Sequence, residues 1–318
     1  MNLIDAPAAA LGWLGRQGTR AVAVSVFAGI ALPPLAALLR PLFTAALIAL
    51  LCLTFLRVEP AALRRQFARP RLVLLASLWI MLAMPLLFGG ALLLLDVRGA
   101  SEALFLALIL QAVAPPIISS AALAALMGLD AALSLATLIV CMAATPLVAP
   151  VFAGLFAGAE LTISPLALGL KLFAMLAGSA LAAALIRRIA GAARVERQRE
   201  RIDGLNVIAL FIFAVALMDG VAAAMLARPL LVLGLTALAF ALTAVLTIVT
   251  ALVMLPAGRP AAFALGLASG SRNMGLMLAA VGGTVPELTW LYFAIAQFPI
   301  YLMPQILKPL ARRIHIAP

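Results

Sequence analysis

Apolar residues in this chain run in long blocks, and polar residues are confined to short intervals between them. A membrane-spanning helix needs about 20 consecutive apolar residues. Ten blocks approach or exceed that length, at about 21–39, 41–56, 71–95, 102–128, 131–156, 164–186, 204–227, 229–255, 260–284 and 287–311. Two of them are interrupted. The fourth carries Ala114-Pro115-Pro116-Ile117-Ile118-Ser119-Ser120 and the ninth carries Ala268-Ser269-Gly270-Ser271-Arg272-Asn273-Met274-Gly275. A guanidinium at mid-bilayer costs roughly 2.5–3.5 kcal/mol on insertion scales. Backbone that leaves the helix at that depth is tolerated only inside protein or beside a water-filled cavity. The ninth block therefore marks either a site or an unusual structural defect.

Composition excludes the soluble classes. The chain has 318 residues, of which 66% are hydrophobic and 10% charged, with a mean hydropathy of +1.23. Soluble domains carry about 25% charged residues. The strands of a membrane β-barrel alternate apolar and polar positions, and no such alternation runs through these blocks, so an all-α integral membrane protein is predicted. The single His315 and the two cysteines, Cys52 and Cys141, form neither a disulfide framework nor a Cys/His metal site.

The formal charge of +11 would suggest nucleic acid in a soluble protein. Here it is an orientation signal instead. Seventeen Arg and Lys fall on the side of the N-terminus, three (Arg40, Arg98 and Arg228) on the other, and Lys171 and Arg272 lie within spans. The positive-inside rule makes the first side cytoplasmic. Both termini then lie inside, as an even number of spans requires, and a multi-pass protein of the inner (plasma) membrane is expected. Arg16 and Arg20 precede a late apolar block, which reads as a first span rather than a cleaved signal peptide. Leu3 to Leu14 is expected along the membrane surface. The basic loop Arg187–Arg201 is read as a solvated connector.

Prolines suggest a repeat. Pro146 and Pro299 are 153 residues apart, Pro150 and Pro304 are 154 apart, and the interruptions at Ala114 and Ala268 share the 154-residue offset. Because each half holds an odd number of spans, the second enters the membrane from the opposite side. The reading is an inverted repeat, 1–156 and 157–318, with five helices each. Paired broken helices at corresponding positions mark the substrate site of many secondary transporters. Unrelated kinks are the alternative.

Few polar groups lie within the spans. Gln111, Ser119 and Ser120 surround the double proline, where freed carbonyls can meet a cation, water or a substrate hydroxyl. Ser134 and Thr137 lie about one turn apart on the fifth span, where packing roles are also common. Arg272 is too deep to snorkel and is assigned to binding an anionic group or replacing a bound cation. Lys171 and Asp219 lie at matching depths and are expected to pair, with a proton-relay role for Asp219 as the alternative. Gln297 and Gln305 in the tenth span could face the core, but nothing singles them out.

The layout resembles the bile acid:sodium symporter family. The residues that carry the likeness are Pro115-Pro116-Ile117-Ile118-Ser119-Ser120-Ala121, against a family break of Pro-Gly-Gly-x-x-Ser-Asn, and Ala268-Ser269-Gly270-Ser271-Arg272-Asn273, against Glu-x-Gly-x-Gln-Asn. Pro115, Ser120, Gly270 and Asn273 match. Ser134 falls on a sodium-binding serine, and Thr137 lies beside the position of a threonine, Leu138. Ala268 and Arg272 stand where the family has a sodium-ligating Glu and Gln, and Ile80, placed by Met84-Pro85, stands for a further Gln. The resemblance implies ten helices in two inverted repeats, with the fourth and ninth broken and crossing. It also implies a panel domain of spans 1, 2, 6 and 7 and a core domain of spans 3–5 and 8–10.

The expected function is secondary active transport of a small organic anion by alternating access, with sodium coupling weakened or lost. Ser119, Ser120, Ser271, Arg272 and Asn273 are the substrate-site candidates. Ser120, Ser134, Thr137 and Asp219 are the ion-coupling candidates. No organic cofactor or firm metal site is expected; one sodium ion is the sole inorganic candidate. The partners are the anion and the bilayer, not nucleic acid. A sodium-coupled symporter and a non-transporting sensor on the same fold are the alternatives. An enzyme is disfavoured, because the spans carry no acid/base set.

Overall fold

In a computed structural model of the chain, the described residues are 18–57, 70–282 and 285–314. They are helical throughout, and among them the only extended pairing is an isolated antiparallel bridge between Pro116 and Arg272. This is an all-α, multi-pass membrane protein. Among the described residues, seven helices are long and apolar enough to cross a bilayer: Pro33–Arg57, Pro70–Leu94, Ala131–Ala157, Pro165–Ala190, Arg199–Ala227, Pro229–Val253 and Glu287–Pro309. The first, fourth and ninth predicted spans consist of shorter pieces: Gly18–Ala31; Glu102–Val113 with Ser120–Leu126; and Arg259–Gly270 with Met274–Val281. The stretch Leu3 to Leu14 and His315 lie outside the described residues.

One predicted boundary moves. The first span was expected to end at Leu39, but the helix breaks at Leu32, whose backbone leaves the helical region before Pro33. Pro33 removes a donor and disfavours helical geometry in the residue before it. Pro41, by contrast, is absorbed in a tight turn, Arg40–Leu42, so that Pro33–Arg57 forms one 25-residue apolar rod.

The described residues form two compact units. The first draws on described residues within 18–57 and 173–229, and the second on described residues within 70–172 and 230–314. In the first, Arg199–Leu217 packs against Gly18–Ala31, Pro33–Leu39 and Phe43–Arg57. Phe43 stacks on Phe213 at 5.0 Å. Gly29 lets the helices approach closely, since a Cβ there would lie 2.7 Å from Met218 Cβ. Ion pairs clamp both ends of this packing: Arg57 with Asp203 at 3.0 Å, and Arg40 with Asp219 at 2.7 Å. The partner of Asp219 is thus Arg40, which corrects the expected pairing with Lys171. Asp219 lies in a turn that interrupts the seventh span between Leu217 and Val221, and this turn exposes the carboxylate enough for an arginine at the helix end to reach it.

In the second unit, Ala131–Ala157 packs against Pro70–Leu78, Glu102–Val113, Ser120–Leu126 and Arg259–Gly270. Side-chain caps fix the starts of two helices: Ser101 Oγ accepts from Leu104 N and Asp130 Oδ1 accepts from Leu133 N. Arg259–Gly270 seats two glycines against Pro229–Val253. A Cβ on Gly270 would lie 2.1 Å from Thr247 Oγ1 and 2.7 Å from the Thr243 carbonyl oxygen. Lys171 is exposed on this unit. Its Nζ lies 3.7 Å from the place a Cβ on Gly282 would take, next to the C-terminal end of Met274–Val281. That end carries the negative pole of the helix dipole. Gln297 is buried as expected, but Gln305 is exposed.

Candidate functional site at the crossing of two broken helices

The fourth span stops at Val113 because Pro115 and Pro116 have no N–H to continue the ladder, and Ala114, before a proline, turns extended. The ninth span stops at Gly270, after which Ser271 is extended and Asn273 starts a new helix by accepting from Leu276 N at 3.1 Å. Each interruption leaves main-chain groups without helical partners. They satisfy one another: Ile117 N donates to the Ser271 carbonyl and Asn273 N donates to the Pro115 carbonyl, both at 2.8 Å. The two broken helices are joined at their breaks.

Arg272 sits on this bridge and is 1% exposed. Its guanidinium meets main-chain oxygens almost exclusively. Nε donates to the Ser269 carbonyl at 2.7 Å, and Nη1 donates to the carbonyls of Ala114 at 2.9 Å and Ile80 at 3.2 Å. Nη2 has a long contact of 3.5 Å with Ser269 Oγ. Among the described residues no carboxylate pairs with it.

Each of the three carbonyls is free for a local reason. Ser269 lies four residues before Asn273, whose N–H is taken by Pro115. Ala114 ends its helix at the prolines. Ile80 lies in a π turn, Trp79–Ala83, in which Met84 N donates to the Trp79 carbonyl. In that five-residue register the donor for Ile80 would be residue 85, and Pro85 has none. Three interrupted segments thus aim oxygens at one point, and the guanidinium fills it. Polar groups buried without a partner are costly, so the cation and the three breaks stabilise one another.

Of the predicted residues, Ser119, Ser120, Ser271, Arg272 and Asn273 all lie at this crossing. Ser271 and Asn273 are buried, and Ser119 is half-buried beside Ile117 and Ile118. Ser120, Ser134 and Thr137 are buried, and among the described residues none of their hydroxyl groups has a hydrogen-bond partner. Ser120–Leu126 and Ala131–Ala157 form an antiparallel hairpin closed at Met127–Asp130. A second polar pair lies one turn before the break, where Tyr292 Oη donates to Gln111 Oε1 at 2.5 Å. Asp219 belongs to the other compact unit, in its ion pair with Arg40.

Sequence reasoning missed the carbonyl of Ile80 and the seat that Thr243 and Thr247 make for Gly270. The signal for the first was Met84-Pro85, since a proline inside a span leaves a carbonyl upstream without its donor. Compared with known proteins, the chain matches no family model and no curated protein.

Proposed function

We propose that this chain is a secondary transporter of a small organic anion, built as ten spans in two inverted repeats and resembling the bile acid:sodium symporters. In it, the guanidinium of Arg272 takes the place of one coupling cation. The observation that carries the reading is the cage around Arg272. Oxygens freed by three interrupted helices are what a bound monovalent cation needs, and a tethered cation already fills that position. The family-like positions 80, 268 and 272 lack side-chain oxygen ligands, which agrees with a site that no longer has to attract an ion.

The electrostatics favour an anion. Arg272 brings a buried positive charge with no carboxylate partner among the described residues. Ser120–Leu126 and Met274–Val281 both begin at the crossing, so the positive poles of their dipoles point there. Ser119, Ser271 and Asn273 supply the polar contacts. Because the donors of Arg272 are largely engaged by carbonyls, it acts on the substrate through charge more than through a direct hydrogen bond. Alternating access needs separately packed bodies, and two compact units support it. On this reading the protein is a carrier rather than an enzyme. It lies in the inner (plasma) membrane with both termini cytoplasmic, which reporter fusions at each end would test.

A second reading retains one sodium ion. The unpartnered hydroxyls of Ser120, Ser134 and Thr137 favour it, because each is a buried oxygen among the described residues with no hydrogen-bond partner there. The test is uptake by the full chain in proteoliposomes, after a thermal-shift screen of small carboxylates and sulfonates. Saturable uptake that is equal in sodium and in choline supports the tethered-cation carrier. Uptake that rises in proportion to sodium and loses that dependence in Ser134→Ala supports the single-sodium symporter. No stabilisation and no counterflow with any anion would reject transport.

A further inference from the structure

An apolar groove of about 610 Å³ runs along the outside of the third span. One wall is a single face of Pro70–Leu94: Leu72, Leu75, Trp79, Leu82 and Leu86. At 1.5 Å per residue this face is about 21 Å long, more than half of a hydrocarbon core of about 30 Å. The opposite wall is formed by Val253, Met254, Pro256 and Ala257. Trp79 is fixed in the wall, because its Nε1 donates to Thr250 Oγ1 at 3.0 Å.

Two arginines border this apolar lining along the chain. Arg71 adjoins Leu72, and Arg259 follows Ala257 by two residues. Both arginines are exposed, and among the described residues neither forms an ion pair. Basic groups at the interface above an apolar slot between spans form the recognition pattern for anionic lipid.

We propose that the groove is a binding site for an anionic phospholipid, with its phosphate between Arg71 and Arg259 and one acyl chain along the Leu72–Leu86 face. The site is independent of the transport reading. The size of the groove suits a single chain, and the two guanidiniums select a phosphodiester without a compensating positive headgroup.

Trp79 provides the readout. The chain has three tryptophans, Trp13, Trp79 and Trp290. With Trp13→Phe and Trp290→Phe, the fluorescence of Trp79 reports on bromine-bearing acyl chains in the groove. The full chain is reconstituted in phosphatidylcholine vesicles containing brominated phosphatidylglycerol or, in parallel, brominated phosphatidylcholine. Quenching should show a preference for phosphatidylglycerol of roughly five- to thirty-fold, the range set by one or two interfacial arginines. In Arg71→Gln/Arg259→Gln the preference should vanish while quenching by brominated phosphatidylcholine persists. Equal quenching by both lipids in the parent, an unchanged preference in the double variant, or no quenching by either lipid would overturn the proposal. If Trp290→Phe does not fold, native mass spectrometry of the otherwise unaltered chain applies the same criterion. Phosphatidylglycerol must be retained by the parent and lost by Arg71→Gln/Arg259→Gln.

Discussion

Replacing Arg272 with Gln removes the guanidinium from a cage of three carbonyl oxygens, those of Ser269, Ala114 and Ile80. The helices cannot recover these oxygens, because the competing donors are absent or engaged elsewhere. Each buried acceptor left unpaired costs about 1–3 kcal/mol, which sets a gross loss of about 3–9 kcal/mol. Relief from burying a charge offsets several kcal/mol of that, and the shorter amide side chain restores part of the bonding. A net loss of about 3 kcal/mol follows. For 318 residues a loss of 1 kcal/mol lowers Tm by roughly 1.5 °C, so the variant should melt about 5 °C below the parent in choline chloride. Sodium should then refill the vacated cage. At a sodium concentration one hundred times its Kd, binding returns about 2.7 kcal/mol, or roughly 4 °C. The assay is thermal unfolding of both purified proteins in choline and in sodium at equal ionic strength. The reasoning is refuted if Arg272→Gln is as stable as the parent in choline, or if sodium stabilises the two proteins equally.

Three further outcomes are expected. Gly270→Ala should prevent stable folding, with a loss above about 3 kcal/mol, because its Cβ would meet Thr247 Oγ1 at 2.1 Å and the Thr243 carbonyl at 2.7 Å. Gly234→Ala, whose Cβ meets nothing within 4 Å, should fold normally; size-exclusion profiles in detergent separate the two. Thr137→Val should leave stability in choline unchanged or raised by up to about 1 kcal/mol, since a buried hydroxyl without a partner is removed. Any sodium-dependent rise in Tm should be lost, and a Tm drop in choline would count against the assignment. Asp219→Asn should cost no more than about 1 kcal/mol, because its partner Arg40 is half exposed and such pairs contribute little. Uptake should survive at every pH tested, and its abolition would restore Asp219 as a proton carrier.

Much of the architecture was legible in block length alone. A helix in lipid must satisfy its own backbone, so the apolar stretches and their charged ends mark the spans almost directly, as Pro70–Leu94 and Pro229–Val253 illustrate. The same logic exposed the two interruptions, since paired prolines and a buried arginine have no place in an uninterrupted span. Boundaries set by proline were less legible. Pro33 breaks its helix at Leu32 and Pro41 does not, because a tight turn at Arg40–Leu42 absorbs the second proline. The Asp219 pairing was likewise misjudged from depth along two helices. Depth orders charges along the membrane normal but says nothing of which helix lies beside which, and Arg40 is the one within reach.

The sequence by itself determined that Arg272 is deep, costly and next to broken backbone. Only the tertiary structure decided what the arginine touches. Its acceptors are carbonyls of Ile80, Ala114 and Ser269, and a carbonyl is the same group in every residue, so residue type carries no trace of which ones are aimed inward. That selection comes from the three-dimensional meeting of a π turn, a double-proline break and a second broken helix. Until that meeting is seen, Arg272 reads either as a buried charge for an anionic group or as the replacement of a bound cation. Once it is seen, it is a cation already bound.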